Sequence, residues 1–139
     1  MPLDGIIDEI DVLRGSEYSL LAVLMGAAPS ADLLARVADL RGDATAIGMA
    51  HLELADAARA AAESAVALEY FNLFIGVGRG EFLPYGSWYQ TGFLHERPLA
   101  RIREDLAALG IERDGPSKEP EDHIAILCEV MAGMAQGRF

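Results

Sequence analysis

The chain has 139 residues and a formal net charge of −11, from 22 acidic against 11 basic side chains. That length suits one domain able to bury a core without a metal or a disulfide, and the single cysteine, Cys128, excludes an intrachain disulfide. The acidic balance repels polyanions such as nucleic acid, with no local basic patch to offset it, and favours basic partners.

Ala (23) and Leu (18) outnumber Val, Ile and Thr combined (17), which favours helices because unbranched side chains lose little rotamer freedom there. An all-α class follows. The N-terminus, Met1-Pro2-Leu3-Asp4-Gly5, lacks a basic n-region, and the apolar run Leu20 to Met25 is too short to span a bilayer. The sequence reads as neither exported nor membrane-spanning, and a buried thiol at Cys128 fits a reducing cytoplasm.

In chain order, Ile6, Ile10, Leu13, Leu20, Leu21 and Leu24 recur near helical spacing and predict one helix from Asp4 to about Ala27, bent or broken near Gly15 and Ser16. Pro29 and Ser30 stop it and cap a short helix with Leu33, Leu34, Val37 and Leu40 inward, ending at Gly42. Asp43 and Thr45 cap a third, alanine-rich helix that runs through Leu68 into Tyr70-Phe71-Asn72-Leu73-Phe74. A glycine-rich loop, Gly76 to Gly80, and Pro84 then force irregular structure.

Ser87 caps a short segment, Trp88 to Leu94, and Pro98 opens a helix with Leu99, Ile102, Leu106 and Leu109 inward and Gly110 closing it. Residues 111–118 are polar, broken by Gly115 and Pro116, and read as a hinge-like linker between a core, 1–110, and the start of a C-terminal part, 119–139. The last helix is expected to begin at Glu119-Pro120-Glu121-Asp122-His123, where proline and acidic side chains suit a first turn. Its stripe is Ile124, Leu127, Cys128, Met131 and Met134. The expected fold is a bundle of about six helices.

Few constellations carry chemistry. Gly76-Val77-Gly78-Arg79-Gly80 follows a helix rather than a strand and lacks the lysine of a phosphate loop, so it reads as a turn. No histidine has a glutamate three residues before it, the spacing of carboxylate-bridged metal sites in bundles. Glu119, Asp122 and His123 make at most an adventitious cation site, and an acid–base pair of His123 with Glu119 or Asp122 is the enzyme alternative. Tyr70 to Tyr89 differs in kind: it holds seven of the ten aromatic residues, the concentration expected of a binding groove rather than a core alone.

Together, Tyr70-x-x-Leu73-Phe74, then Pro84-Tyr85-Gly86-Ser87-x-Tyr89, then Glu119-Pro120-Glu121-Asp122-His123 resemble the TorD/DmsD/NarJ-like family of cytoplasmic molybdoenzyme chaperones. The resemblance is specific from about Tyr70 to Met134. It implies an all-helical, non-enzymatic protein with no cofactor of its own, which binds the twin-arginine leader of an apo-oxidoreductase until molybdopterin is inserted. Leu73, Phe74, Pro84, Tyr85 and Ser87 match positions linked to leader binding, Asp122 and His123 match the family's hinge motif, and Tyr70 stands where members carry tryptophan or tyrosine.

A basic leader with an apolar stretch suits a groove in which Glu119, Glu121 and Asp122 meet the arginines while Leu73, Phe74 and Tyr85 take the apolar part. The wording from Ser87 to Asp105 looks most like members that accompany formate dehydrogenases. Family members continue for several helices beyond the Glu-Pro-x-Asp-His segment, so this chain reads as either a shortened member or a truncated molecule, with Ile124, Leu127 and Met131 exposed for self-association and the last helix able to exchange in a homodimer. A helical scaffold without leader binding is the other alternative.

Overall fold

The computed structural model describes residues 7–139. Among them are seven α-helices and a π-helical turn: α1 (Glu9–Gly26), α2 (Ala31–Ala38), α3 (Ala46–Ala60), α4 (Glu63–Tyr70), the π-turn (Phe71–Ile75), α5 (Gly86–Thr91), α6 (Glu96–Ala108) and α7 (Ile124–Ala135). No strand occurs among the described residues, so the class is all-α. The chain forms two compact units, one from the residues up to Gly26 together with Leu83–Phe139, the other from Ala27–Phe82.

In the first unit α1 packs on α7. A Cβ placed on Gly15 would lie 2.6 Å from Cγ of Gln136, and one on Gly26 would lie 3.5 Å from Cβ of Ala125, so the helices run antiparallel at close range. Gly15 therefore does not break α1, as the sequence suggested: it is the contact that lets α7 approach, and the helix is continuous for 18 residues. Asp4 and Ile6 of the expected helix lie outside the described residues.

The same closeness corrects the apolar stripe of α7. The enclosed residues are Ala125, Cys128, Ala132 and Gly133, whereas Ile124, Met131 and Met134 are exposed. Two helices that meet through small side chains bring their backbones together and push larger ones to the flanks. Leu109, expected inward on the sixth helix, is the C-cap of α6 and is likewise exposed, while Leu99 is buried. Residues 111–118 form no helix, and the segments on both sides of them belong to this unit.

In the second unit the expected caps form. Ser30 Oγ accepts the Leu33 N–H at 3.1 Å, and Thr45 Oγ1 accepts the Gly48 N–H at 3.0 Å while Asp43 Oδ1 accepts the Thr45 N–H at 2.9 Å. The second helix stops at Ala38 rather than near Gly42. Gly42 instead lies against α3, where a Cβ would be 2.6 Å from Cγ of Leu52.

The third expected helix is two helices. Ala61 and Ala62 adopt extended backbone (ψ 138° and 134°) and separate α3 from α4. No glycine or proline marks that break, so tertiary packing outweighs the helix preference of an alanine run here.

Candidate functional site

The site is built where two loops of the first unit pair. The Gly86 N–H donates to the Asp122 carbonyl at 3.0 Å and the Ile124 N–H to the Pro84 carbonyl at 2.8 Å, a single antiparallel bridge of Tyr85 with His123. Extended backbone at His123 (ψ 133°) is what that pairing requires, so the last helix cannot begin at Glu119 as expected. Residues 120–123 form a turn, closed by the His123 N–H on the Pro120 carbonyl at 3.0 Å, and α7 starts at Ile124.

Asp122 and Ser87 are both fully enclosed, at 0% exposure. Asp122 Oδ2 accepts the Ser87 N–H at 2.9 Å and also the Ser87 hydroxyl, and the Ser87 Oγ accepts the His95 N–H at 3.0 Å. Ser87 is thus inside α5 with its hydroxyl turned to Asp122, and Tyr85, not Ser87, occupies the N-cap position. His95 and Glu96 sit at positive φ (71° and 52°), a backbone that costs about 1–3 kcal/mol per residue and persists where its surroundings hold it. The hydrogen bond from His95 to Ser87 is one such restraint.

His123 caps α7: its Nδ1 accepts the Ala125 N–H at 3.1 Å, which places the ring proton on Nε2. Burial holds the imidazole pKa below its ordinary 6.5, although the carboxylates of Glu119 and Asp122 pull the other way. Tyr85 meets the His123 ring edge-on with centroids 5.3 Å apart, and its hydroxyl donates to Glu119 Oε2 at 2.5 Å. Pro84 and Tyr85 are half-buried, and Tyr89 is exposed on α5.

Glu121 is engaged as well, by Arg103 Nε at 2.7 Å and Arg113 Nη1 at 3.3 Å. Burial pushes its carboxyl up, but the hydrogen bond from Arg103, its own backbone amide and the two guanidinium charges outweigh that and hold it below the ordinary value. Of the three carboxylates expected to meet a leader's arginines, Asp122 is enclosed and Glu121 is paired within the chain. Only Glu119, already bonded by Tyr85, has an exposed carboxylate.

Beside this knot lies a cleft of about 460 Å³, walled by the end of α6, the 111–119 segment and α7. Its apolar lining includes Leu106, Ile126 and Val130, and five carboxylates against two arginines line it. Glu112, Glu129 and Arg103 carry no motif in the sequence. Only the fold brings residues of α6, the connecting segment and α7 together.

In the second unit, Leu73 and Phe74 are carried on the π-turn, half-buried, with Tyr70 tilted against Phe74 at 5.0 Å between ring centroids. The turn closes at Gly76 (φ 64°), whose N–H reaches the Phe71 carbonyl at 2.7 Å. The chain then returns: the Phe82 N–H donates to the Leu73 carbonyl at 2.7 Å, and Gly80 lies so close to that peptide that a Cβ would be 2.7 Å from the Leu73 carbonyl carbon. The glycines serve this backbone approach.

An all-helical fold of this kind is shared with a redox enzyme maturation protein from Archaeoglobus fulgidus, whose crystal structure superposes with a TM-score of 0.65 over 86% of this chain and 70% of that one, at 24% identity. The family model of the nitrate reductase delta subunit matches residues 40–139, and the chain belongs to that family. Relatives named chaperone protein TorD are 36% identical over 75 residues in Vibrio cholerae (53% of this chain, 34% of the relative) and 30% identical over 75 residues in Aliivibrio fischeri (52% and 35%). The match spans about a third of the length of these curated relatives. No helix among the described residues is long and apolar enough to cross a membrane.

Proposed function

We propose that this chain is a maturation chaperone for a molybdopterin-dependent oxidoreductase, which binds the client's twin-arginine leader before export. Family membership supports the chaperone class, and the single observation that carries leader binding is the Tyr85–His123 bridge. It brings the Pro84-Tyr85-Gly86-Ser87 and Glu119-to-His123 stretches, 34 residues apart at the Tyr85–Glu119 hydrogen bond, to one half-exposed aromatic surface beside a carboxylate. An aromatic face edged with negative charge suits a segment that is basic and then apolar.

In this reading Asp122 and Ser87, being enclosed, position Tyr85 and do not touch the leader. Leu73 and Phe74, in the second unit, are apolar contacts in this reading, and weaker leader binding by an L73A/F74A variant is the expected result. The client carries the molybdopterin, and a formate dehydrogenase is the first client class to try. The protein works in the cytoplasm, where the unexported client is found.

A calorimetric titration with a formate dehydrogenase leader peptide tests this. Saturable binding, weakened when the two arginines become glutamine or when the apolar stretch is made polar, is the expected result. Heats indistinguishable from dilution for every leader tried would remove the leader from the proposal and favour a helical scaffold.

A further inference from the structure

The turn that joins α5 to α6 is strained, and little packing holds it. His95 and Glu96 both take positive φ, 71° and 52°, a backbone that residues with a Cβ rarely adopt. Every residue from Tyr89 to Arg97 is exposed, Phe93 at 68%, so few surroundings are left to hold the strained pair in place. The His95 carbonyl accepts the Leu99 N–H at 3.3 Å, at the start of α6. Among the described residues, the bond that reaches back from the pair to the knot is the His95 N–H on Ser87 Oγ at 3.0 Å.

The other end of this chain of bonds is under-satisfied. Ser87 passes the link on to Asp122, donating its N–H and its hydroxyl to Oδ2. Asp122 Oδ1 is enclosed and has no hydrogen-bond partner among the described residues, so it keeps its desolvation cost. Opening the chain relieves both ends, because the turn regains an ordinary φ and Oδ1 regains water. The hydrogen bonds between His95, Ser87 and Asp122 oppose it.

We propose that the α5–α6 turn is a strained latch that opens as a local unit, and that its opening takes Ser87 off Asp122 and parts the Tyr85–His123 bridge. The coupling follows from adjacency. Gly86 and Ser87 are the first two residues of α5, and they hold the carbonyl and the side chain of one residue, Asp122. When α5 moves with the turn, the ladder bond from Gly86 goes with the bonds from Ser87. The latched arrangement assembles the Tyr85 surface and the open one disperses it, and a small gap between two such arrangements is what lets a binding surface be switched. The use of the latch on a client rests on the reading above; the opening itself does not.

The test is native-state amide hydrogen exchange, read by NMR, on the full chain and on its E96G and E96Q variants. The His95, Ser87, Gly86 and Ile124 amides should share one level of protection, about tenfold or more below that of the Cys128 and Ala132 amides inside α7. E96G removes the Cβ at φ 52° and should raise the protection of those four amides by roughly fivefold, whereas E96Q removes the same charge, keeps the Cβ and should not raise it. Four amides that exchange only together with Cys128 and Ala132 would overturn the latch. Exchange at His95 with Gly86 and Ile124 still protected would overturn the coupling to the bridge, and equal effects of the two variants would overturn the strain. Failure of this pattern leaves the chaperone reading in place, and failure of leader binding leaves the latch in place.

Discussion

Two neighbourhoods meet at His123, and they treat polar groups in opposite ways. On one side Asp122 is enclosed, with Ser87 donating twice to the same carboxylate oxygen. On the other, Glu112 and Glu129 line a cleft with no hydrogen bond or ion pair among the described residues. The two Ser87 donors and their acceptor hold one another in place, because removing the acceptor would leave both donors enclosed at their full desolvation cost. Open carboxylates contribute little to stability and remain available to a ligand. Substitutions in the knot should therefore show in unfolding experiments, and those in the cleft should not.

The largest effect is expected at Asp122. Asp122→Ala leaves the Ser87 N–H and hydroxyl enclosed without an acceptor, at a cost of about 3 kcal/mol. Asp122→Asn keeps an acceptor at the Oδ2 position and places its amide where Oδ1 already lacks a partner, so it should cost about 1 kcal/mol. Urea unfolding of both variants gives the comparison directly, through the midpoint at unchanged slope. Equal losses would mean that the charge, rather than the acceptor, holds the loops together.

That knot also marks the limit of what could be read in advance. The caps at Ser30 and Thr45 were legible because capping chemistry lies within three residues of itself. Asp122 and His123 were singled out by resemblance, yet the partner that encloses Asp122 stands 35 positions away, a distance no local pattern reports. The α7 stripe was misjudged for a related reason. Periodicity weighs large side chains, so it favoured Ile124 and Met131, whereas α1 comes close to α7 with Gly26 against Ala125, and the enclosed positions of α7 are the small residues Ala125, Cys128 and Ala132. Glu112 and Glu129 gave no signal, because an isolated surface glutamate is the commonest thing in an acidic chain.

His123 belongs to both neighbourhoods, and its titration separates them. Because its folded pKa lies below the ordinary 6.5, the unfolded chain takes up the proton first. Its contribution to stability is whole above that value and is lost as the pH falls from there toward the folded pKa, with a slope of at most about 1.4 kcal/mol per pH unit. His123→Asn keeps a capping acceptor for the Ala125 N–H without a titrating ring. Its unfolding free energy should fall less steeply than that of the wild type just below pH 6.5, measured in matched buffers. Parallel curves would show that folding leaves the imidazole pKa where the unfolded chain has it, and would overturn the effect of burial.

The smallest effect sharpens the comparison most. E112Q/E129Q removes two exposed carboxylates from a chain of net charge −11, without removing an enclosed group or an ion pair among the described residues. Surface changes of this kind stay within about 0.5 kcal/mol, and relief of like-charge repulsion points toward slight stabilisation. Thermal unfolding of the variant should therefore be unchanged or slightly raised. A clear loss of stability would place these glutamates in a structural role beside Asp122, and the contrast between knot and cleft would not hold.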